Sequence, residues 1–206
     1  TILDAETWHI QGGLRIQTLG PFRSWPAGAD QPLSAQQWGS QLGRRIMAYL
    51  LTEGYTGRGG ITREKLLQEF WGRGNAGGSL RVILHRLRSS VRCPAAILFE
   101  GDSYRFNWDL PGIRFDREQL DAFHRKGMAL ATEGRRDEAR EELERAEALF
   151  RGDYLEGFDE PWASQARRTL RSSRRAILEK LVELCTGLER PDAAAFYLDT
   201  LSKVRT

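Results

Sequence analysis

Cysteine and histidine are scarce in this 206-residue chain, and neither is clustered. Two cysteines, Cys93 and Cys185, cannot build a disulfide framework, and they leave a cytoplasmic location as the simplest reading. The three histidines (His9, His85, His124) stand singly, so no metal-ligand set can be written and no cofactor is expected. No apolar run approaches the ~18 residues of a membrane helix, which excludes a membrane span of that kind. Thr1 to Gly13 has neither the basic flank nor the apolar stretch of a signal peptide. The chain starts at Thr1 without Met, so it reads as a fragment, with 1–13 as a linker from a missing N-terminal region. Catalytic motifs are missing as well. There is no Gly-x-Ser-x-Gly and no His-Glu-x-x-His. The glycine-rich break from Gly72 to Ser79 lacks the Lys-Ser/Thr pair of a phosphate loop, and no apolar strand precedes it. An enzyme is not expected.

What is present is a foldable composition, 40% hydrophobic and 29% charged, with a net charge of +3 that is unevenly divided. Residues 1–112 carry 13 basic and 9 acidic side chains, whereas 113–206 carry 18 and 19. Phe70 to Phe99 contains no acid at all but holds Arg73, Arg81, Arg86, Arg88 and Arg92. A positive field without compensating carboxylates suits a polyanionic partner.

The first half reads as short strands, helices and a hairpin. Leu14, Ile16 and Thr18 alternate with Arg15 and Gln17 as in a half-buried strand, and Phe22 to Trp25 is its expected partner. Leu42, Ile46, Tyr49 and Leu50 recur at helical spacing between Ser40 and Glu53. Four glycines between Gly54 and Gly60 mark a loop. Thr62 is placed to cap a short helix through Trp71. After a glycine-rich break containing Asn75, Leu80, Leu84, Leu87 and Val91 form one stripe of a second helix over 79–92. Ile97–Glu100 and Tyr104–Trp108 flank Gly101-Asp102-Ser103 as a hairpin with one apolar face.

The boundary is placed at Pro111-Gly112, giving domains 14–111 and 112–206, and everything beyond reads as helical. Four helices are expected, over Asp116–Glu133, Arg136–Phe150, Pro161–Leu188 and Asp192–Val204. Gly127, Leu130, Gly134, Ala139, Leu143 and Ala146 have the spacing of a tetratricopeptide unit, with a weaker echo in Ala194, Leu198 and Leu201. The fold class is therefore mainly α with small β elements: a winged helix-turn-helix followed by a tetratricopeptide-like array.

With its leucine stripe inward, the second helix turns Ser79, Arg81, Val82, His85, Arg86, Arg88 and Ser89 outward. Arginine can hold guanine's major-groove edge bidentately or grip a phosphate, and a valine can meet a thymine methyl. Helix, turn, basic helix and hairpin in that order describe a winged helix with its recognition helix in the major groove. Arg44, Arg45 and Lys65 on the preceding helices are candidates for phosphate contact, and Arg105 is the one basic residue in the hairpin's second strand.

Ser79-Leu80-Arg81-Val82-Ile83-Leu84-His85-Arg86-Leu87-Arg88, with Lys65 to Trp71 before it and Gly101 to Phe106 after it, resembles the OmpR-type winged helix of SARP-type bacterial activators. Leu14 to Phe22 is similar to that family's opening strand. Phe115 to Phe123, Ala146 to Gly152 and Tyr154, Leu155, Glu160, Pro161 and Trp162 resemble its bacterial transcriptional activation domain. The chain differs from the family in having Phe99 and Glu100 where such wings carry a basic residue, and its helical domain reads as truncated. The resemblance implies a sequence-specific DNA-binding activator that recruits RNA polymerase and binds direct repeats of double-stranded DNA as a homodimer or tandem pair. The alternative is a protein-interaction scaffold whose winged helix does not bind DNA. Arg167, Arg171 and Arg174 share one helix face by i, i+4 and i+3 spacing and are the candidate partner-binding stripe. The competing reading lays that stripe against Glu138, Glu141, Glu142 and Glu144 as surface ion pairs.

Overall fold

The computed structural model describes residues 13–72 and 77–204. Residues 1–12, which hold His9 and most of the expected linker, and the break residues Arg73 and Asn75 lie outside the described residues. The chain forms two compact units. The first comprises 13–16 and Phe22–Arg114, the second Gln17–Pro21 and the chain from Phe115 onward.

The first unit begins with β1 (Arg15–Gln17), passes β2 (Gly20–Pro21, in the second unit) and returns in β3 (Arg23–Trp25), which pairs with β1. The Arg114 N–H, at the start of β7 (Arg114–Phe115), donates to the Leu14 carbonyl at 2.9 Å on the other side of β1. Helix α1 (Gln41–Glu53) starts where the Ser40 hydroxyl accepts from the Gly43 N–H at 2.9 Å. Its inward face buries Ile46, Met47 and Leu50 completely. A short strand, β4 (Ile61–Thr62), leads into α2 (Arg63–Trp71), capped by the Thr62 hydroxyl on the Lys65 N–H at 3.1 Å. Helix α3 (Gly77–Ser90) starts two residues earlier than its leucine stripe implies, inside the glycine-rich break.

The hairpin consists of β5 (Ile97–Glu100) and β6 (Ser103–Phe106), with β4 pairing on the other side of β6. Ile97 stands opposite Phe106 and Glu100 opposite Ser103, so the loop is Gly101-Asp102 alone, with φ of 61° and 121°. A two-residue hairpin loop needs positive φ; Gly101 supplies it without a Cβ, whereas Asp102 adopts it under strain. Tyr104, Phe106 and Trp108 face inward as their alternation requires.

The second unit has four long helices, α4 (Asp116–Thr132), α5 (Arg136–Glu147), α6 (Pro161–Gly187) and α7 (Pro191–Lys203). Gly127 lets α4 and α5 approach closely, since a Cβ there would lie 2.6 Å from Leu143 Cγ. Ala139, Leu143 and Ala146 are fully buried at that seam. Their echo differs: Ala194 and Leu201 are half-buried, and Leu198 is 58% exposed.

The unit is not wholly helical. Tyr154–Glu156 forms β8, parallel to Gly20–Pro21 of β2. Asp116 fixes this association. Its carboxylate is buried and accepts from the Thr18 N–H (2.7 Å), the Thr18 hydroxyl (2.9 Å) and the Leu19 N–H (2.8 Å). The Leu155 and Arg151 N–H groups then donate to the Thr18 and Leu19 carbonyls at 2.8 and 3.0 Å. A strand of three residues is too short to carry a period-two signal, which is why β8 reads in the sequence as a break between helices.

Candidate nucleic-acid interface

Helix α3 is amphipathic in the sense its sequence requires. Leu80, Leu84 and Leu87 are sealed from solvent, and α1 closes on the helix where Gly43 has no side chain, 3.5 Å from Ile83 Cγ2 to an ideal Cβ. The opposite face presents Ser79, Arg81, Val82, His85, Arg86 and Ser89, all exposed, with Val82 49% exposed despite being apolar. The Ser89 hydroxyl turns back onto the His85 carbonyl at 3.1 Å, leaving Arg81, Val82, His85 and Arg86 as the outward chemistry. No carboxylate pairs with Arg81 or Arg86 among the described residues.

Arg88 does not belong to that face. It is half-buried, and its Nε and Nη2 both donate to the Ile97 carbonyl, at 3.0 and 2.7 Å. Ile97 opens β5, an edge strand of the sheet, so Arg88 ties the helix to the wing rather than reading a base. The opposite end of the wing is held by the Arg63 N–H on the Asp102 carbonyl at 2.9 Å. A helical period puts Arg88 on the flank of the outward arc but carries no information about the carbonyl it satisfies.

Two other expectations change for a related reason: a guanidinium finds a local acceptor. Arg105 donates through Nε and Nη2 to Glu100 (2.9 and 3.2 Å), which raises the arginine's pKa and lowers the carboxylate's. The wing's cation is thereby neutralised. Arg44 is half-buried, donates to the Phe22 carbonyl at 3.3 Å and has its pKa lowered by burial. Its neighbour Arg45 is exposed and lies over the Phe70 ring at 5.8 Å, and Lys65 is exposed, 3.4 Å from Glu53. Arg45 and Lys65 face solvent, where a phosphate can reach them; Arg44 does not.

The Arg167/Arg171/Arg174 stripe is engaged within its own unit. Arg167 donates to the carbonyls of Tyr154 (3.0 Å), Leu155 (3.1 Å) and Phe158 (2.8 Å), holding β8 and the left-handed Leu155 (φ 48°) in place. Arg171 pairs with Asp153 (Nε, 2.9 Å) and Arg174 with Glu147 (Nε, 3.0 Å). Three of the acids pair elsewhere: Glu138 with Arg135, Glu142 with Lys126 and Arg145, Glu144 with Arg140. Sequence spacing finds the shared face but not the acceptors beneath it. Among the described residues, no group of His, Cys, Asp and Glu could hold a metal ion, and no helix is long and apolar enough to cross a membrane.

Residues 115–205 match the family described as the bacterial transcriptional activator domain. That segment is a bacterial transcriptional activator domain. Regulatory protein AfsR of Streptomyces coelicolor is 29% identical to the chain over 181 residues, 84% of the chain. The solved structure of Mycobacterium tuberculosis EmbR, in complex with a low-affinity phosphopeptide, superposes over 92% of the chain with a TM-score of 0.77 at 18% identity. At that identity the likeness is one of fold. The chain spans only 17% of the length of AfsR and 50% of the EmbR chain. The N-terminal winged-helix region followed by this helical domain matches the fold of the EmbR structure. The buried Asp116 sits on the second residue of the activator domain's matched segment, and its partners Thr18 and Leu19 lie outside that segment, in the N-terminal strand region.

Proposed function

We propose that the chain is the DNA-binding and activating part of a bacterial transcriptional regulator. The exposed face of α3 reads double-stranded DNA in the major groove, and the activator domain contacts RNA polymerase. The observation that supports this is the pair Arg81 and Arg86, uncompensated among the described residues and flanking exposed Val82 and His85, on the second helix of a helix-turn-helix whose other face is fully buried. A solvated helix surface does not require an exposed valine between two uncompensated arginines. A base-reading face has a use for both, since guanine takes arginine and the thymine methyl takes an apolar contact. Arg45 and Lys65 set register on phosphates, and two copies occupy direct repeats.

The test is binding to a pool of random duplexes, with the enriched sites sequenced and affinity followed against salt. A reader of DNA enriches a motif that occurs as a direct repeat, and its affinity falls steeply as salt rises because bound phosphates release counterions. An interaction scaffold enriches nothing. Transcription in vitro from a promoter bearing the enriched site then tests polymerase recruitment.

A further inference from the structure

Helix α3 ends at Ser90, but the cations that follow it do not have equal standing. Two arginines lie between Ser90 and Trp108, Arg92 and Arg105. Arg105 is held bidentately by Glu100. Arg92 is exposed, and no carboxylate pairs with it among the described residues.

The backbone under Arg92 is unusual for a side chain of that size. The Arg92 N–H donates to the Ser89 carbonyl at 3.1 Å and the Cys93 N–H to the Arg88 carbonyl at 3.2 Å, while Arg92 itself has φ of 51°. This pair of bonds is the helix-ending motif in which the left-handed residue is normally glycine, because any Cβ is strained there. The same chain shows the unstrained solution after α4, where Gly134 (φ 78°) occupies the equivalent place with Gly134 N–H on Ala131 and Arg135 N–H on Leu130. It shows the strained one again after α6, at Glu189 (φ 56°). Glycine would therefore fit better at 92, and what it would remove is a solvent-facing cation at the end of the helix that carries Arg81 and Arg86. A basic residue also suits the negative end of α3, though that interaction is weak at an exposed site.

We propose that Arg92 is a phosphate-gripping residue that extends the α3 surface past its C-terminal end and supplies the backbone contact that the neutralised wing arginine cannot. This rests on the DNA-binding reading above. Because the cation and the strain reside in one residue, Arg92→Gly acts on both at once with opposite signs: it weakens DNA binding by removing a contact while it relieves the backbone.

The experiment titrates the whole chain onto a fluorescein-labelled random-sequence duplex across a range of salt, for wild type, Arg92→Gly, Arg92→Lys and the control Glu189→Gly. Each variant's thermal midpoint is measured alongside. One lost phosphate contact flattens the slope of log K against log salt by about 0.9, which corresponds to about fivefold weaker binding at 0.15 M. Arg92→Gly should show that loss with a midpoint equal to or above wild type, and Arg92→Lys should keep the slope. Glu189→Gly should leave the slope alone. If wild type binds with a steep salt dependence and Arg92→Gly keeps the full slope, the proposal is overturned while the DNA reading stands. If Glu189→Gly flattens the slope equally, the effect is not a phosphate contact and the proposal is again overturned. If wild type itself does not bind the duplex, both fall together.

Discussion

Replacing Asp116 by Ala would strand two buried backbone donors, the N–H groups of Thr18 and Leu19, together with the Thr18 hydroxyl. A buried donor left without a partner costs about 1–3 kcal/mol. Burial works against the carboxylate's charge and raises its pKa, with the Leu19 and Thr18 bonds opposing that rise. Removing the carboxylate therefore relieves part of the cost, and the expected net loss is about 2–4 kcal/mol. An amide at this position behaves differently. In Asp116→Asn the amide oxygen can accept from both N–H groups, and the amide nitrogen can donate to the Thr18 oxygen, because a hydroxyl both donates and accepts. Asp116→Asn should therefore recover most of what Asp116→Ala loses. Urea unfolding of the whole chain measures the loss. Amide exchange localises it to Thr18, Leu19 and the two amides that depend on their carbonyls, Arg151 and Leu155. Unchanged stability in Asp116→Ala, or an Asp116→Asn variant as weak as Asp116→Ala, would refute the hydrogen-bond reasoning.

Gly127→Ala puts a Cβ 2.6 Å from Leu143 Cγ, and should destabilise the activator domain by about 1–3 kcal/mol despite alanine's better helix propensity. Combined with Leu143→Ala it should cost less than the sum of the two single variants, and strict additivity in urea titrations would disprove the close approach. Arg105→Ala combined with Glu100→Gln should leave DNA affinity and its salt slope unchanged, because the two charges already cancel; a weaker, flatter titration would place the wing on DNA. Burial holds the His124 imidazole below its ordinary pKa of 6.5. The unfolded chain therefore takes up that proton first, and stability falls as pH drops below about 6.5. His124→Gln should flatten that part of a pH–stability curve.

The periodic elements are legible because each carries its own signal. The Leu80/Leu84/Leu87 stripe, the Thr62 cap, the Tyr104/Phe106 alternation and the Gly127 contact with Leu143 all follow from spacing within one or two elements. What spacing cannot show is what a long side chain does at its far end. It assigns a helix or strand face to Arg88, Arg105, Arg167, Arg171 and Arg174, yet each folds back onto a carbonyl or carboxylate brought near by the folded chain. A guanidinium reaches far from its Cα, so the position of the charge is set by partners that helical period ignores. The same limit hides Asp116, whose partners lie 97 and 98 residues away. Arg81, Val82, His85 and Arg86 stay where the helical period puts them because nothing else in the described chain competes for them.

The most direct measurement takes the enriched duplex and substitutes it base pair by base pair, for wild type and for Arg81→Ala. If α3 reads bases, wild type loses about 1–3 kcal/mol on substitution of one guanine position, and Arg81→Ala binds all versions of that position alike while keeping its preference elsewhere. A preference profile unchanged in Arg81→Ala, with the fold intact by circular dichroism, would contradict the assignment of α3 as the reading surface.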